Sequence, residues 1–196
     1  GSAIVFTNYN NERVVIDGTT PITSTWTRVG STDIWKTKLS ADIWQLFINW
    51  EEQVMARWPN AKFSDDTVWD NDNYWAKGTI DDDENAYTNG TIIDDPYTNS
   101  SGTTIDLSAT GFDLDETNKQ AIAILNLGSF KTWSRLVTSH SGNTFNYATV
   151  PTWKTKHHYY YLEGRKEFLD QEGEWWYDTY NNADSLYYYC CLLYTS

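Results

Sequence analysis

The densest run of residues able to move protons is Lys154–His158 (KTKHH), followed by Glu163 and Glu167. A His or Lys beside a carboxylate could take a proton from a uronic acid while a neighbouring cation neutralises its carboxylate, as lyase chemistry requires. On a strand His157 and His158 point to opposite faces, so at most one serves a given site. The plainer reading is a charged strand entry whose imidazoles bond locally. Acids suited to glycoside hydrolysis are abundant: Glu163, Glu167, Asp170, Glu172, Glu174 and Asp178. Any two of them ~5–10 Å apart would do, and spacing along the chain does not choose among them. No residue is therefore assigned a catalytic role, and Glu174 is expected to orient a Glu-Trp hairpin.

Asp70-Asn71-Asp72-Asn73 begins like a calcium loop, whose ligands fall at alternate positions with a Gly at the sixth. Here the fifth and sixth positions are Tyr74 and Trp75, so the EF-hand version fails. Asp70 and Asp72, joined by Asp81 and Asp83, could still form a looser oxygen-ligand site. Calcium is thus the one cofactor the residues suggest, with a solvated acidic loop as the alternative. Trp69, Trp75 and Trp153 lie near loops and could stack on sugar rings. Together with His157 and His158 they are the candidate glycan contacts. The competing reading is that each ring pins its loop to the sheet beneath. Three His and two Cys offer no zinc spacing, and there is neither a phosphate loop nor a G-x-S-x-G elbow. Asn89-Gly90-Thr91 and Asn99-Ser100-Ser101 match the N-glycosylation pattern, which arises easily by chance in a chain so rich in Asn, Ser and Thr.

The elements that must position these groups read as β throughout. Ala3–Thr7, Arg13–Ile16 and Pro21–Thr25 are short strands with Asn and Asp-Gly corners, followed by strands near Trp26–Val29 and Ile34–Thr37. Asp42–Phe63 (DIWQLFINWEEQVMARWPNAKF) fits either a helix of period 3.6 or a hairpin of period 2. The hairpin is preferred because aromatic and β-branched residues fill both arms, Asn49 tolerates left-handed geometry and Pro59 closes the return. Trp44, Leu46, Val54 and Trp58 should then be mostly buried, with a looser or shifted turn at Asn49–Trp50, since a Trp at positive φ is strained. Ser64–Pro96 carries ten acids against Lys77 and should lie over the surface, pinned by its rings. Thr103–Leu107, Ala121–Leu127, Phe130–Thr138, Thr144–Ala148, Tyr159–Leu162, Glu174–Tyr177 and Leu186–Tyr189 complete the strands. Glu163–Gln171 is the one rival helix.

Composition narrows the partners. With 27 acids and 14 bases in 196 residues the net charge is −13, which argues against nucleic acid and anionic membranes. No apolar run approaches ~20 residues, so no membrane insertion is expected. The adjacent Cys190–Cys191 say nothing of redox compartment.

The opening AIVFTNYNNERVVIDGT, from Ala3, and two later segments resemble secreted right-handed parallel β-helix proteins of environmental bacteria, many of them thought to act on polysaccharides. In that family a strand ending Gln-Leu-Phe-Val enters an Asn-Gly turn, and the return strand ends Ala-Arg-aromatic-Pro-Asn. Gln45–Ile48 and Ala56–Asn60 are similar to the two ends of that pattern, with Trp50 departing where Gly is usual. YYYLEGRKEFLDQEGEWWYD, from Tyr159, and SLYYY, ending at Tyr189, resemble the family's Glu-Trp and Leu-Tyr-Tyr hairpin. The resemblance implies the all-β start of a right-handed parallel β-helix carrying a β-rich hairpin and meander insertion, truncated before the catalytic coils. On that basis residues 1–40 form the first coil or N-terminal strands, and 41–158 the insertion with its acidic loop at 64–96. Residues 159–190 form the return strand and Glu-Trp hairpin. Cys191–Ser196 (CLLYTS) resembles the translated end of a transposon used in sequencing-library preparation and is read as an artefact. The implied role is the non-catalytic N-terminal region of an extracellular or cell-surface protein that acts on polysaccharide. A glycan-binding or adhesion protein is the alternative.

Overall fold

The computed structural model describes residues 4, 7, 8, 10–12, 17–79, 90–117, 119–128, 131–151, 159–178 and 184–190. The hairpin expected in the Asp42–Phe63 stretch is present. β1 (Thr27–Arg28) and β2 (Ile34–Lys38) precede it, and β3 (Leu46–Ile48) and β4 (Glu51–Met55) form its arms. Its turn corrects the expectation of a loose corner. Ile48 pairs with Glu51, leaving a two-residue turn with Asn49 at φ 53 and Trp50 at φ 72. Positive φ at both positions is the primed geometry that matches strand twist, so the tight turn is kept and Trp50 takes the strain. Trp44 is a second correction. It is 84% exposed, because β3 begins only at Leu46 and Trp44 falls outside the alternation. Leu46 and Val54 are buried as expected, and Trp58 is half-buried.

At Ala56 the chain changes sheets. The Ala56 N–H donates to the Trp175 carbonyl at 2.7 Å, and the next two residues form β5 (Arg57–Trp58) in a different sheet. A short helix α1 (Asn71–Tyr74) leads to β6 (Ala76–Lys77), β7 (Thr91–Ile93), β8 (Tyr97–Thr98) and β9 (Thr104–Ile105). Then follow β10 (Ile122–Asn126), β11 (Thr132–Ser141), β12 (Thr144–Tyr147) and β13 (Tyr159–Glu163). The last strands are β14 (Glu174–Asp178) and β15 (Ser185–Tyr189). The first sheet runs β1-β2-β15-β14-β4-β3 and the second β5-β13-β10-β11-β12-β7, with β6 also on β13. The pairings among described strands are antiparallel except β4 with β14, where Val54 meets Glu174 and Met55 meets Trp175. The fold is all-β, and its sheets are mostly antiparallel.

Alternation builds the core. Ala123 and Leu125 of β10, Tyr160 and Leu162 of β13, and Phe145 and Tyr147 of β12 all point inward, as the period of 2 requires. Trp176, Tyr187 and Tyr189 of the first sheet pack against the same core, whereas Trp175, Leu186 and Tyr188 cluster with Leu46 elsewhere. Adjacent Trp residues thus serve two cores. Pro21–Thr25 forms no strand, and Glu163–Gln171 holds only a short 3-10 turn at Lys166–Phe168. The stripe Leu162, Phe168, Leu169 was too sparse to outweigh strand pairing. No described helix is long and apolar enough to cross a membrane.

Candidate functional site

A groove of about 430 Å³ opens where β5 ends. Trp58, Pro59 and Asn60 form one side, Asn73 and Tyr74 of α1 the next, and Asn99 with Thr103 and Thr104 another. Asp170 and Gln171 close it from the turn before β14. The rim amides are held by local bonds. Asn60 Nδ2 donates to Asp170 Oδ1 at 2.8 Å, joining residues 110 positions apart. Asn99 Nδ2 donates to the Asn73 carbonyl at 2.9 Å, and Asn73 Oδ1 accepts from the Ser100 N–H at 3.1 Å. Asn99 Oδ1 accepts from the Thr103 N–H, closing the 99–103 turn. Asn99 is nearly buried, so this match to the glycosylation pattern is a structural amide.

Beneath the groove sits a buried cation. Arg57 is 3% exposed, and its Nε donates to the Pro59 carbonyl at 2.9 Å and its Nη2 to the Tyr74 carbonyl at 3.0 Å. It therefore ties two walls together. The guanidinium lies 3.7 Å from the Tyr161 ring centre, and the Trp75 ring is 5.8 Å away. A cation this close to an aromatic face is attracted by the ring's quadrupole. Glu163 stands directly across from Arg57 in the β5–β13 pair. Burial lowers Arg57 to about 10 against the opposing charges of Tyr161, Glu163 and Glu174. Burial likewise raises Glu163 to about 7, with Arg57 resisting. Glu174 is fully buried and is raised to about 8 by burial, partly offset by the N–H groups of Gln171 and Asp170. Two acids near neutrality beside an Arg is a pattern that also marks acid–base centres. Neither Glu163 nor Glu174 lines the groove, however, so their contribution is to the walls and not to contact with a ligand.

The other acids of the sequence are spoken for differently. Glu167 and Glu116 both bind Arg165, at 2.6 Å and 3.0 Å, and Arg165 also donates to the Lys119 carbonyl. These groups border a smaller cavity of about 290 Å³ with Trp176 and Tyr187. Asp170 is part of the groove, and Asp178 borders the smaller cavity.

Of the candidate glycan contacts, Trp69 is 73% exposed and touches Phe63 edge-on, with ring centres 6.0 Å apart. Trp75 is pinned, packing at right angles on Tyr161 with centres 4.8 Å apart. Trp153, His157 and His158 lie outside the described residues, as do Asp81 and Asp83. Asp70 caps α1, its two oxygens accepting from the Asn73 N–H at 3.2 Å and Nδ2 at 2.8 Å. Asp72 accepts from the Tyr159 hydroxyl at 3.3 Å. Among the described residues no group of three or more His, Cys, Asp or Glu side chains could hold a metal. The sequence does not bring Asn60, Asn73 and Asn99 to one groove, because their partners are remote and Asn in this chain is too common to signal a shared site.

No protein-family model matches the chain, and no curated protein does. A solved structure described as a glycoside hydrolase is similar in fold, with a TM-score of 0.53 at 17% identity. The likeness covers 85% of this chain and 28% of that one, so the chain spans little more than a quarter of the length of the structure it matches.

Proposed function

We propose that this chain is the N-terminal, non-catalytic region of a longer extracellular carbohydrate-active protein, and that its groove holds a neutral polysaccharide. The observation that carries the reading is the groove itself. Asn60 and Asn73, preset by their own hydrogen bonds, bring amide groups to the lining, and the rings of Trp58 and Tyr74 supply flat apolar surface. Sugars present both hydroxyls and C–H faces, so this is the lining they require. Charge selects against polyuronates. The chain carries −13, and Asp65 and Asp170 outnumber Lys62 at the groove. The fold likeness to a protein described as a glycoside hydrolase supports a carbohydrate-related role. The resemblance of Gln45–Ile48, Ala56–Asn60 and the Glu-Trp hairpin supports a right-handed parallel β-helix downstream, where the catalytic coils of the parent protein would lie.

Calorimetric titration with cellohexaose, xylohexaose and mannohexaose, beside alginate and pectin, tests this. Heat is expected with at least one neutral hexaose, and Tyr74→Ala should weaken it about tenfold, the scale of losing one stacked ring. Absence of heat with all three hexaoses would sink the reading, and binding confined to alginate or pectin would overturn its neutral part. Affinity unchanged by chelator would separate the groove from any calcium bound near Asp70 and Asp72. Release of new reducing ends by this chain alone would contradict a non-catalytic role.

A further inference from the structure

We propose that the tip of the β3–β4 hairpin is a second contact for the neutral polysaccharide, outside the groove and reached only by chains longer than it. This rests on the groove being a glycan site and extends that site along the hairpin. Among the described residues, three of the large hydrophobics left exposed belong to this hairpin or its approach. Trp44 is 84% exposed, Trp50 61% and Phe47 39%. Trp50 is held at φ 72, where its side chain is strained and a Gly would not be. Packing within the chain offsets little of that strain at a residue so exposed. Strain kept at an exposed aromatic is explained by a contact made outside the chain.

The hairpin has two faces, and one of them leads to the groove. Leu46 and Ile48 turn to the cluster of Trp175, Leu186 and Tyr188. Phe47 and Glu52, paired across the strands, take the opposite face. Val54, two residues beyond Glu52, shares that face and packs with Ala61 and Val68. Phe63 and Tyr74 pack against this same cluster, and Tyr74 lines the groove. A sugar chain leaving the groove past Tyr74 would run along this face to Phe47 and the Trp50 tip, about 13 Å beyond Val54 along β4. The chemistry of the face selects its occupant. Beside Phe47, Gln45 Nε2 donates to Glu52 Oε1 at 2.9 Å, which holds an amide and a carboxylate at the surface for sugar hydroxyls. Aromatic surface next to fixed polar groups suits pyranose rings, which present both C–H faces and hydroxyls. From Asp42 to Met55 the chain carries Asp42, Glu51 and Glu52 and no Lys or Arg. Those acids, in a chain of net charge −13, repel polyuronates, anionic membranes and a second copy of the chain.

Affinities for cellohexaose, xylohexaose and mannohexaose, set against the corresponding trioses, test the extension. A triose is too short to lie in the groove and also reach the tip. Affinity for the best hexaose should fall about tenfold in Trp50→Gly, the scale of losing one stacked ring. Trp50→Asn, which removes the ring and tolerates left-handed geometry, should do the same. Both variants relieve the strain, so the loss is not one of folding. The hexaose loss should exceed the triose loss by at least about fivefold, because only the longer sugar joins the two contacts. Trp50→Tyr, which puts a ring back, should come within about threefold of the native affinity. Hexaose affinity untouched by Trp50→Gly would overturn the proposal and leave the groove reading in place. Equal losses for triose and hexaose would overturn it as well, since the effect would then act through the groove. So would a loss that Trp50→Tyr does not restore, which would belong to the turn and not to the ring. A dimer in sedimentation that Trp50→Gly dissolves would give the tip to a second copy and overturn its assignment to glycan. A native chain that binds no hexaose would remove the groove reading itself, and this extension with it.

Discussion

Trp50 sits at φ 72 in the second turn position of the β3–β4 hairpin, and the residue is 61% exposed. A side chain in left-handed geometry crowds the next carbonyl, at about 1–2 kcal/mol. With so much of the residue in water, packing offsets little of that. Trp50→Gly is therefore expected to stabilise the chain by about 0.5–1 kcal/mol, after the entropy that Gly adds to the unfolded state. Urea unfolding checks it, and a lower midpoint would show that the ring packs more than its exposure suggests. Arg57 teaches the opposite lesson about legibility. In the sequence it is an Arg between apolar neighbours, within the Ala56–Asn60 pattern, with no partner in view. Its partners at Pro59, Tyr74 and Tyr161 become neighbours only through the fold.

At the scale of elements, the hairpin was legible because its two arms alternate and its turn is short. What the alternation did not reveal is that β4 and β5 belong to different sheets, with Ala56 as the crossing point. A period of 2 fixes which face a side chain takes, not which strand lies alongside. The β7–β12 pair shows how tightly one such neighbour can be specified. The Gly90 carbonyl accepts the Tyr147 N–H at 2.7 Å, and a Cβ on Gly90 would stand 2.4 Å from the Tyr147 carbonyl oxygen. Backbone cannot yield as a flexible side chain would, and φ is +82° at this position. Gly90→Ala should cost about 2–3 kcal/mol by thermal or urea unfolding. Loss of less than about half that would mean the end of β7 is freer to shift than its contacts imply.

For the whole molecule the buried acids set a pH dependence. Glu163 and Glu174 are raised to about 7 and about 8 from an unfolded value of 4.5, both by burial. The folded chain therefore holds more protons than the unfolded chain across this interval. Their favourable contribution is complete below about pH 4.5 and is lost as pH rises through 7 and 8, flattening above. Stability should fall by on the order of 6 kcal/mol between about pH 5 and about pH 9, and Glu174→Gln should remove more than half of that slope. A midpoint of urea unfolding that rises over this range would refute the assignment. The sequence by itself determined the all-β class, the hairpin and the run of strands from Ala121 onward, because alternation and turn chemistry act over a few neighbouring residues. It also determined the acidic surface, which follows from composition alone. Only the tertiary structure decided that Trp44 is exposed, that the sheets are mostly antiparallel, and that Asn60, Asn73, Asn99 and Asp170 meet at one groove over Arg57 and Glu174. Those contacts span up to 110 positions, and burial, which makes the two acids hold their protons, is a property of the assembled core.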